Sequence, residues 1–517
     1  MKTTYENIPE LMRYRASVHG DRPALYFEGR FWSYKELESA SLSAFDFLDS
    51  HHIRKGERFS VLDYNSPESL FLFLGAALYG AVPVMINWRL TLPEIEFILK
   101  DSGSTLLFLG KDFEEYNISL KERMPELKIS EISSVLRANP NISEFPIPPK
   151  REDVVVQLYT SGTTGFPKGV LLTHENLLET LRNLALELPG FGSDSRNLVC
   201  GPFYHIAGVG YTMLGFIPGG TNYLTKKFDP SEVMHLLQSQ RITNALLVPA
   251  MIQAIVSHPE SSKFDYSYLR NIQYGGSGIS EEVLFKAVEL FDCGFTQAYG
   301  LTETTGIATL LRYDDHIRIL ENAKDPVWKE RRKSSGRPVP GMRARIVGKN
   351  EQILQNGEIG EIQLKGVNVG IGYWNRPKEN SETLGEDGWF KTGDLGSMDE
   401  EGYIYILDRK KDMIVSKAEN LYPAEIEREL FGYPKASDLA VFGLPDPEYG
   451  EAVSVAMVPK QGEYPSLEDL CEWAKGRLAG FKMPRRFFIV DSLPRNPSGK
   501  VLRRELRSRF SEESVEV

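Results

Sequence analysis

An α/β fold is what this 517-residue sequence predicts: a large N-terminal domain of parallel sheets, a β-rich subdomain, then a small C-terminal α/β domain. Three observations carry the prediction. Strand-like and helix-like runs alternate from about residue 59 to 110 and again from 154 to about 300, the pattern of βαβ units. After Gly336 short strand-like runs alternate with Gly-rich turns. The chain is also too long for one compact core, so several domains are expected.

The elements follow in order. SYKE at 33–36 is a capping box, opening a helix that ends near His51. FSVLDYN, AVPVMIN and TLLFLG read as strands, with helices in PESLFLFLGAALYG and LPEIEFILKD between them. The apolar run 70–86 contains Gly75, Gly80 and Pro83 and is shorter than the roughly 20 residues of a membrane span, so it reads as a buried helix followed by a buried strand. The run 197–225 has no formal charge but six glycines and two prolines, too broken for a spanning helix. It reads either as core or as the lining of a substrate tunnel. RARIVG, GEIQLKG and GYIYIL make the β-rich part. Beyond DRKKD (408–412), the last residues hold a helix (PAEIEREL), strands (DLAVFG, AVSVAMV, RRFFIV) and a helix started by Ser466. This places the domains at 1–408 and 409–517.

With 41% hydrophobic and 25% charged residues, the composition is that of a globular protein. A net charge of −11 argues against a general nucleic-acid binder. Cys200, Cys293 and Cys471 lie too far apart for a metal motif or a disulfide framework, which suits the cytoplasm. The start, MKTTYENIPELMRY, has no apolar signal-peptide core. Membrane contact is expected to be peripheral at most, and a homodimer is left open.

The chemistry begins at YTSGTTGFPKG, residues 159–169. It follows a valine-rich strand, and α/β folds bind ligands at such strand ends. Glycines let backbone N–H groups converge on an anion. Thr160, Ser161, Thr163 and Thr164 add hydroxyls, Gly162 and Gly165 the close approach, and Lys168 a mobile charge. The Walker spacing is missing, and no GxGxxG follows a strand. A simple turn needs fewer glycines and no lysine, so phosphate binding is the better reading.

The loop resembles the signature of the adenylate-forming superfamily: acyl-CoA synthetases, adenylation domains and beetle luciferases. YGGSG (274–278), YGLTE (299–303), TGDLG (392–396), DRKKDMI (408–414), NLYPAEIE (420–427) and PRNPSGK (494–500) follow in that superfamily's order. Seven motifs in sequence cover most of residues 159–500. The resemblance implies an ATP-dependent, Mg²⁺-requiring enzyme in which a carboxylate attacks the α-phosphorus of ATP and expels pyrophosphate. The resulting acyl-adenylate is then passed to coenzyme A.

By the same resemblance, residues 160–168 would hold the β- and γ-phosphates. Tyr299 would stack on adenine, with Gly276, Ser277 and Gly278 on its other side and Gln297, Ala298 and Gly300 completing the nucleotide pocket. Thr302 would bond the α-phosphate and Glu303 would ligate Mg²⁺, which prefers carboxylate oxygen. Asp394 and Arg409 would take the ribose hydroxyls. Lys500 would be the electrostatic catalyst of adenylation, on a mobile C-terminal domain hinged at Lys411. His205, Gly208, Val209, Gly276, Gly300 and Asn420 would border the acid, with His205 counted among the catalytic residues. Lys417 and Ala418 would lie beside the pantetheine channel of coenzyme A.

Two features refine the substrate. Relatives that activate amino acids supply an aspartate where this chain reads YHIAGVGYTML, and burying an unpaired ammonium is costly. An apolar acid fits better, and YHIAG resembles the fatty acyl branch, which favours a medium or long chain. Ala418 stands where fatty acyl relatives carry a glycine; if that turn needs a positive φ, alanine costs on the order of 1 kcal/mol. The alternatives are an acyl-AMP ligase loading an acyl carrier protein, an aromatic-acid CoA ligase and, last, a non-catalytic nucleotide-binding scaffold. Residues 482–509 carry nine Lys or Arg against two acids. They form either a solvated surface or a dock for the phosphates of ATP or coenzyme A.

Overall fold

Glycine decides how the first large sheet is covered. In helix Ile206–Phe216 a Cβ on Gly208 would stand 2.3 Å from the Pro202 carbonyl oxygen, and one on Gly215 would stand 2.1 Å from Asn222 Oδ1. The helix therefore lies on its strands at a distance only glycine allows, offsetting the ~1 kcal/mol each interior glycine costs against alanine. The computed structural model describes residues 5–137, 148–160, 167–322, 324–385, 387–417, 419–495 and 500–512.

The chain divides into two compact units: Met1–Ala344 with Leu364–Phe390, and Arg345–Gln363 with Lys391–Val517. The first holds two large sheets. One has a parallel centre of Pro23–Phe27, Thr221–Leu224, Arg196–Val199, Asn244–Leu246, Asn271–Gly275 and Gly294–Tyr299, with antiparallel strands at both edges. The other runs Val154–Thr160, Val82–Met85, Arg58–Leu62, Leu106–Leu109 and Lys128–Glu131, all parallel, and Lys168–Thr173 folds back antiparallel on its first strand. The parallel reading from sequence thus holds for the sheet centres. The antiparallel returns come from hairpins such as the one that carries the phosphate-loop motif.

Local sequence explains the helices. Ser33 and Glu36 form the expected capping box of Tyr34–Ser50. Pro67–Tyr79 starts on the Ser66 cap with proline in its first turn and ends at Gly80, φ +80°. It is buried nearly all round, as is strand Val82–Met85, so the apolar run at 70–86 is interior. No helix among the described residues is long and apolar enough to cross a membrane.

On the first sheet Asn222, Asn197, Asn244 and Asn271 stand in register across four neighbouring strands, all buried on the face that carries helix Ile206–Phe216. Asn244 Nδ2 donates to Asn197 Oδ1 (3.3 Å) and to the Gly190 carbonyl (3.0 Å). Asn222 Nδ2 donates to the Thr212 carbonyl of the helix (2.8 Å).

The second unit holds most of the four-stranded β-rich sheet, ordered Met342–Val347, Gly360–Gly366, Phe390–Met398 and Ile404–Arg409. It also holds a five-stranded sheet built on Ala436–Asp446 and Gly450–Pro459, with Arg486–Ile489 added in parallel. Its last helix, Arg503–Glu512, packs on this sheet through Leu506 and Phe510. Arg503 bonds both oxygens of Glu427 (2.8 and 2.7 Å) and lies 3.7 Å from Asp412 and 4.0 Å from Asp408. Among the basic residues of 482–509, Lys482, Arg486, Arg495 and Arg503 are ion-paired within this unit. For those four the structural reading of the basic cluster applies.

Candidate active site

In the first unit, strand Gly294–Tyr299 runs into Gly300 and a tight turn, Thr302–Thr304, closed by Thr305 at φ +54° and Gly306 at φ +83°. A Cβ on Gly300 would lie 2.3 Å from the Gly306 carbonyl oxygen, so the turn folds back on itself only with glycine there. It leaves Thr302 buried and Glu303 half-buried at the strand end. Tyr373 Oη donates to Glu303 Oε1 at 2.8 Å. Tyr373 stands in the short strand Gly372–Tyr373, paired with Val170 of Lys168–Thr173, and the Asn380 amide bonds both its N–H (2.7 Å) and its carbonyl (2.9 Å). Gly372, at φ +122°, has Asn380 where a side chain would go.

Lys168 completes this corner. Its Nζ lies 5.4 Å from the Tyr373 ring centre, in cation–π range, and 3.8 Å from the Glu379 carboxylate. Thr160 pairs with Lys168 across the hairpin, so the two bracket the loop. Ser161, Gly162, Thr163, Thr164 and Gly165 lie outside the described residues. At the neighbouring strand ends, Gly276 (φ +81°), Ser277 and Gly278 are exposed, while Gln297, Ala298 and Tyr299 are half-buried. Gly275 and Ala298 are register partners, so these two stretches sit side by side.

His205 caps helix Ile206–Phe216, its Nδ1 accepting from the Ala207 N–H at 3.3 Å. Its surface reaches solvent although protein surrounds it, and that crowding lowers its pKa. The ring is therefore neutral at pH 7. Val209 is buried and Gly208 presses on the Pro202 backbone, so neither offers much open surface.

In the second unit, Asp394 and Arg409 face each other across neighbouring strands, Nε to Oδ1 at 2.8 Å. Arg409 also donates to the Thr392 carbonyl (3.1 Å). Lys500 feels Arg409, Asp394, Asp412 and Arg503, so all five share one region. Its surface is exposed, yet the protein packed around its ammonium, and after that the Arg409 charge, lowers its pKa. Lys411 is exposed, and Arg507 donates to its carbonyl (3.4 Å). Lys417 pairs with Glu448 (2.7 Å), lies 4.1 Å from the Tyr449 ring centre and has φ +47°. The left-handed residue described in this turn is thus Lys417; Ala418 lies outside the described residues. Asn420 is exposed on strand Glu419–Leu421.

The structure thus gathers Thr160, Lys168, Thr302 and Glu303 in the first unit, and Asp394, Arg409 and Lys500 in the second. Sequence reasoning missed Tyr373 and Arg503. Tyr373 lies 70 residues from Glu303, and Arg503 lies 76 from Glu427, so no local spacing announces either pair.

Among the described residues no group of three or more His, Cys, Asp or Glu side chains could hold a metal ion. Glu303 offers one oriented carboxylate, which fits Mg²⁺ arriving with phosphates and water as its other ligands.

Strand-end turns of this kind and a lysine-bearing hairpin are features of nucleotide-binding α/β enzymes. The AMP-binding enzyme family matches residues 12–374, and its C-terminal domain family matches 425–500. A fatty acid–[acyl-carrier-protein] ligase, ScoC, from Streptomyces coeruleorubidus is 36% identical over 98% of this chain and 96% of its own. A feruloyl-CoA synthase from an Amycolatopsis species is 36% identical over 96% and 97%. The o-succinylbenzoate coenzyme A synthetase of Bacillus subtilis, solved with ATP and magnesium ion, superposes with a TM-score of 0.85 at 31% identity, covering 96% and 98%. The chain belongs to the AMP-binding enzyme family, in its acyl-CoA synthetase branch, and is an AMP-forming acid–thiol ligase. Enzymes of this branch take ATP with Mg²⁺, a carboxylic acid and coenzyme A.

Proposed function

We propose that this ligase activates an apolar carboxylic acid, a fatty acid of medium or long chain, and transfers the acyl group to coenzyme A. One observation carries the choice of acid: from 197 to 225 no residue bears a formal charge, and the helix that His205 caps is buried along nearly its whole length. An acid with a second charge would be left unpaired against that wall.

In this reading Lys168 and the 160–168 loop hold the β- and γ-phosphates, Thr302 bonds the α-phosphate, and Glu303, oriented by Tyr373, offers its carboxylate to Mg²⁺. Tyr299 and residues 276–278 take adenine. Asp394 and Arg409 take the ribose, and Lys500 neutralises charge growing between the carboxylate and the α-phosphate. Residues 1–408 and 409–517 act as the two moving domains, hinged at Lys411, and Lys417 with Ala418 borders the thiol channel. The ligase works in the cytoplasm.

A second acceptor, the phosphopantetheine of an acyl carrier protein, is favoured by the 36% identity to the Streptomyces enzyme; the feruloyl-CoA relative favours an aromatic acid instead. The test is pyrophosphate release with ATP, Mg²⁺ and a panel of fatty, aromatic, dicarboxylic and amino acids, followed by acyl transfer to coenzyme A or to a holo carrier protein. Release with octanoate to palmitate and thioester formation on coenzyme A are expected. Turnover confined to amino acids or dicarboxylates would sink the reading.

A further inference from the structure

Asp101 stands in the last turn of helix Leu92–Ser102, where the helix dipole favours a cation over an anion. Its own helix therefore gives the carboxylate no support, and the support comes from two distant segments. Oδ2 accepts from the Tyr159 hydroxyl at 2.7 Å. Oδ1 pairs with the Arg376 guanidinium, the two side chains being only 11% and 21% exposed. The Asp101 carbonyl accepts from Trp374 Nε1 at 3.1 Å.

Both segments belong to the corner around Lys168 and Glu303. Tyr159 precedes Thr160, the foot of the phosphate-loop hairpin, and is the register partner of Gly169 on the returning strand. Trp374 follows Tyr373, whose hydroxyl orients Glu303, and its backbone N–H donates to the Gly169 carbonyl at 2.8 Å. Gln157 fills the space between them. It is fully buried, its Nε2 donates to Tyr159 Oη at 3.2 Å, and its Oε1 accepts from Arg58 Nε at 3.3 Å. A Cβ on Gly169 would stand 2.4 Å from that amide nitrogen, so the hairpin needs glycine there. The Arg58 guanidinium lies 3.4 Å from the Trp374 ring centre, which closes a ring of contacts back to Asp101. Burial, and after it the Asp101 carboxylate, holds the Tyr159 phenol well above its ordinary pKa, so the phenol stays a donor.

We infer that Asp101 is a positioning residue that holds the foot of the phosphate loop and the Glu303 carboxylate in one fixed relation. This rests on the reading that the loop holds the β- and γ-phosphates and Glu303 takes Mg²⁺. A Mg²⁺ ion shared by phosphates and a carboxylate has short, near-octahedral bonds and tolerates little displacement of either side. One carboxylate, tied to Tyr159 on one side and to Trp374 and Arg376 on the other, sets both sides before MgATP arrives, so less motion has to be frozen on binding. Asp101 acts through Tyr159 and Tyr373, one residue away from the groups that meet the nucleotide and its metal.

The experiment uses Asp101→Asn, which keeps the shape but turns an amide N–H against a donor on one side. The KM for ATP and the Mg²⁺ needed for half-maximal pyrophosphate release are expected to rise together by about tenfold, with the KM for the acid unchanged. Thioester formation from supplied acyl-adenylate needs neither Mg²⁺ nor the β- and γ-phosphates; it should keep its wild-type rate and serves as the folding control. Arg376→Gln cuts only the arm toward Tyr373. It should raise the Mg²⁺ requirement, and that rise should vanish in a Tyr373→Phe background. Losses spread equally over ATP, acid and thioester formation would make Asp101 merely structural and overturn the inference, as would unchanged ATP and Mg²⁺ dependence in both variants. Glu303→Gln separates the underlying reading. If its Mg²⁺ titration matches the wild type, the metal assignment fails and the inference with it; if it shifts while that of Asp101→Asn does not, the positioning role alone fails.

Discussion

Glu303, in the turn after a strand, and Asp394, within a strand, are both carboxylates with a partner at 2.8 Å, yet those partners differ in charge. Glu303 accepts from the neutral hydroxyl of Tyr373, whereas Asp394 faces the guanidinium of Arg409. A hydroxyl orients a carboxylate without cancelling its charge, which suits Glu303 to a cation. A guanidinium cancels most of the charge, and Asp394 with Arg409 is better suited to neutral groups such as sugar hydroxyls. The first unit therefore turns a hydroxyl-oriented carboxylate toward a cation, while the second pairs Asp394 with Arg409 in the region of Lys500.

The strongest way to break the comparison is to unpair the second unit. Arg503 faces Glu427, Asp412 and Asp408, and burial, opposed by Arg503, raises the pKa of both Glu427 and Asp408. Removing Arg503 should strand these acids, and breaking a buried pair of this kind costs about 3–5 kcal/mol. Arg503→Ala is expected to lower the denaturation midpoint of the second unit, followed by amide hydrogen exchange, while the first unit keeps its protection. Equal loss in both units would contradict the assignment.

Next comes Lys500. In Lys500→Ala, pyrophosphate release should fall about 10²–10³-fold, while thioester formation from supplied acyl-adenylate persists. Because the folded pKa lies below that of a free lysine, adenylation should decline with rising pH from a point below 10.5, as the ammonium loses its proton. A decline that persists in the residual activity of Lys500→Ala would assign that titration elsewhere.

The smallest effect sharpens the comparison. Glu303→Gln should raise the Mg²⁺ needed for half-maximal adenylation about tenfold, and Tyr373→Phe should raise it a few-fold, the size of one hydrogen bond of about 1 kcal/mol. If Tyr373 acts by orienting Glu303, the double variant should be no worse than Glu303→Gln alone. Mn²⁺ binding in the presence of ATP, followed by electron paramagnetic resonance, should move in parallel; additive losses would show that Tyr373 acts elsewhere.

The sequence by itself determined the features whose physics is local. Capping boxes, glycine-bearing turns at strand ends and alternating strand and helix patterns all act within a few residues, which is why Ser33, Gly300, Gly276 and the hairpin at Lys168 were legible. Lys500, Asp394 and Arg409 were singled out through their motifs, and the structure adds only that they share one region. Tertiary structure alone decided the partners. Tyr373 reaches Glu303, Arg503 reaches Glu427, and four asparagines line up across four strands although Asn197 and its neighbour Asn244 are 47 residues apart in the chain. It alone also left the Tyr211 hydroxyl buried without a hydrogen-bond partner among the described residues. A hydrogen bond depends on distance and direction in space, and no residue pattern records which distant strand end will arrive opposite a given side chain.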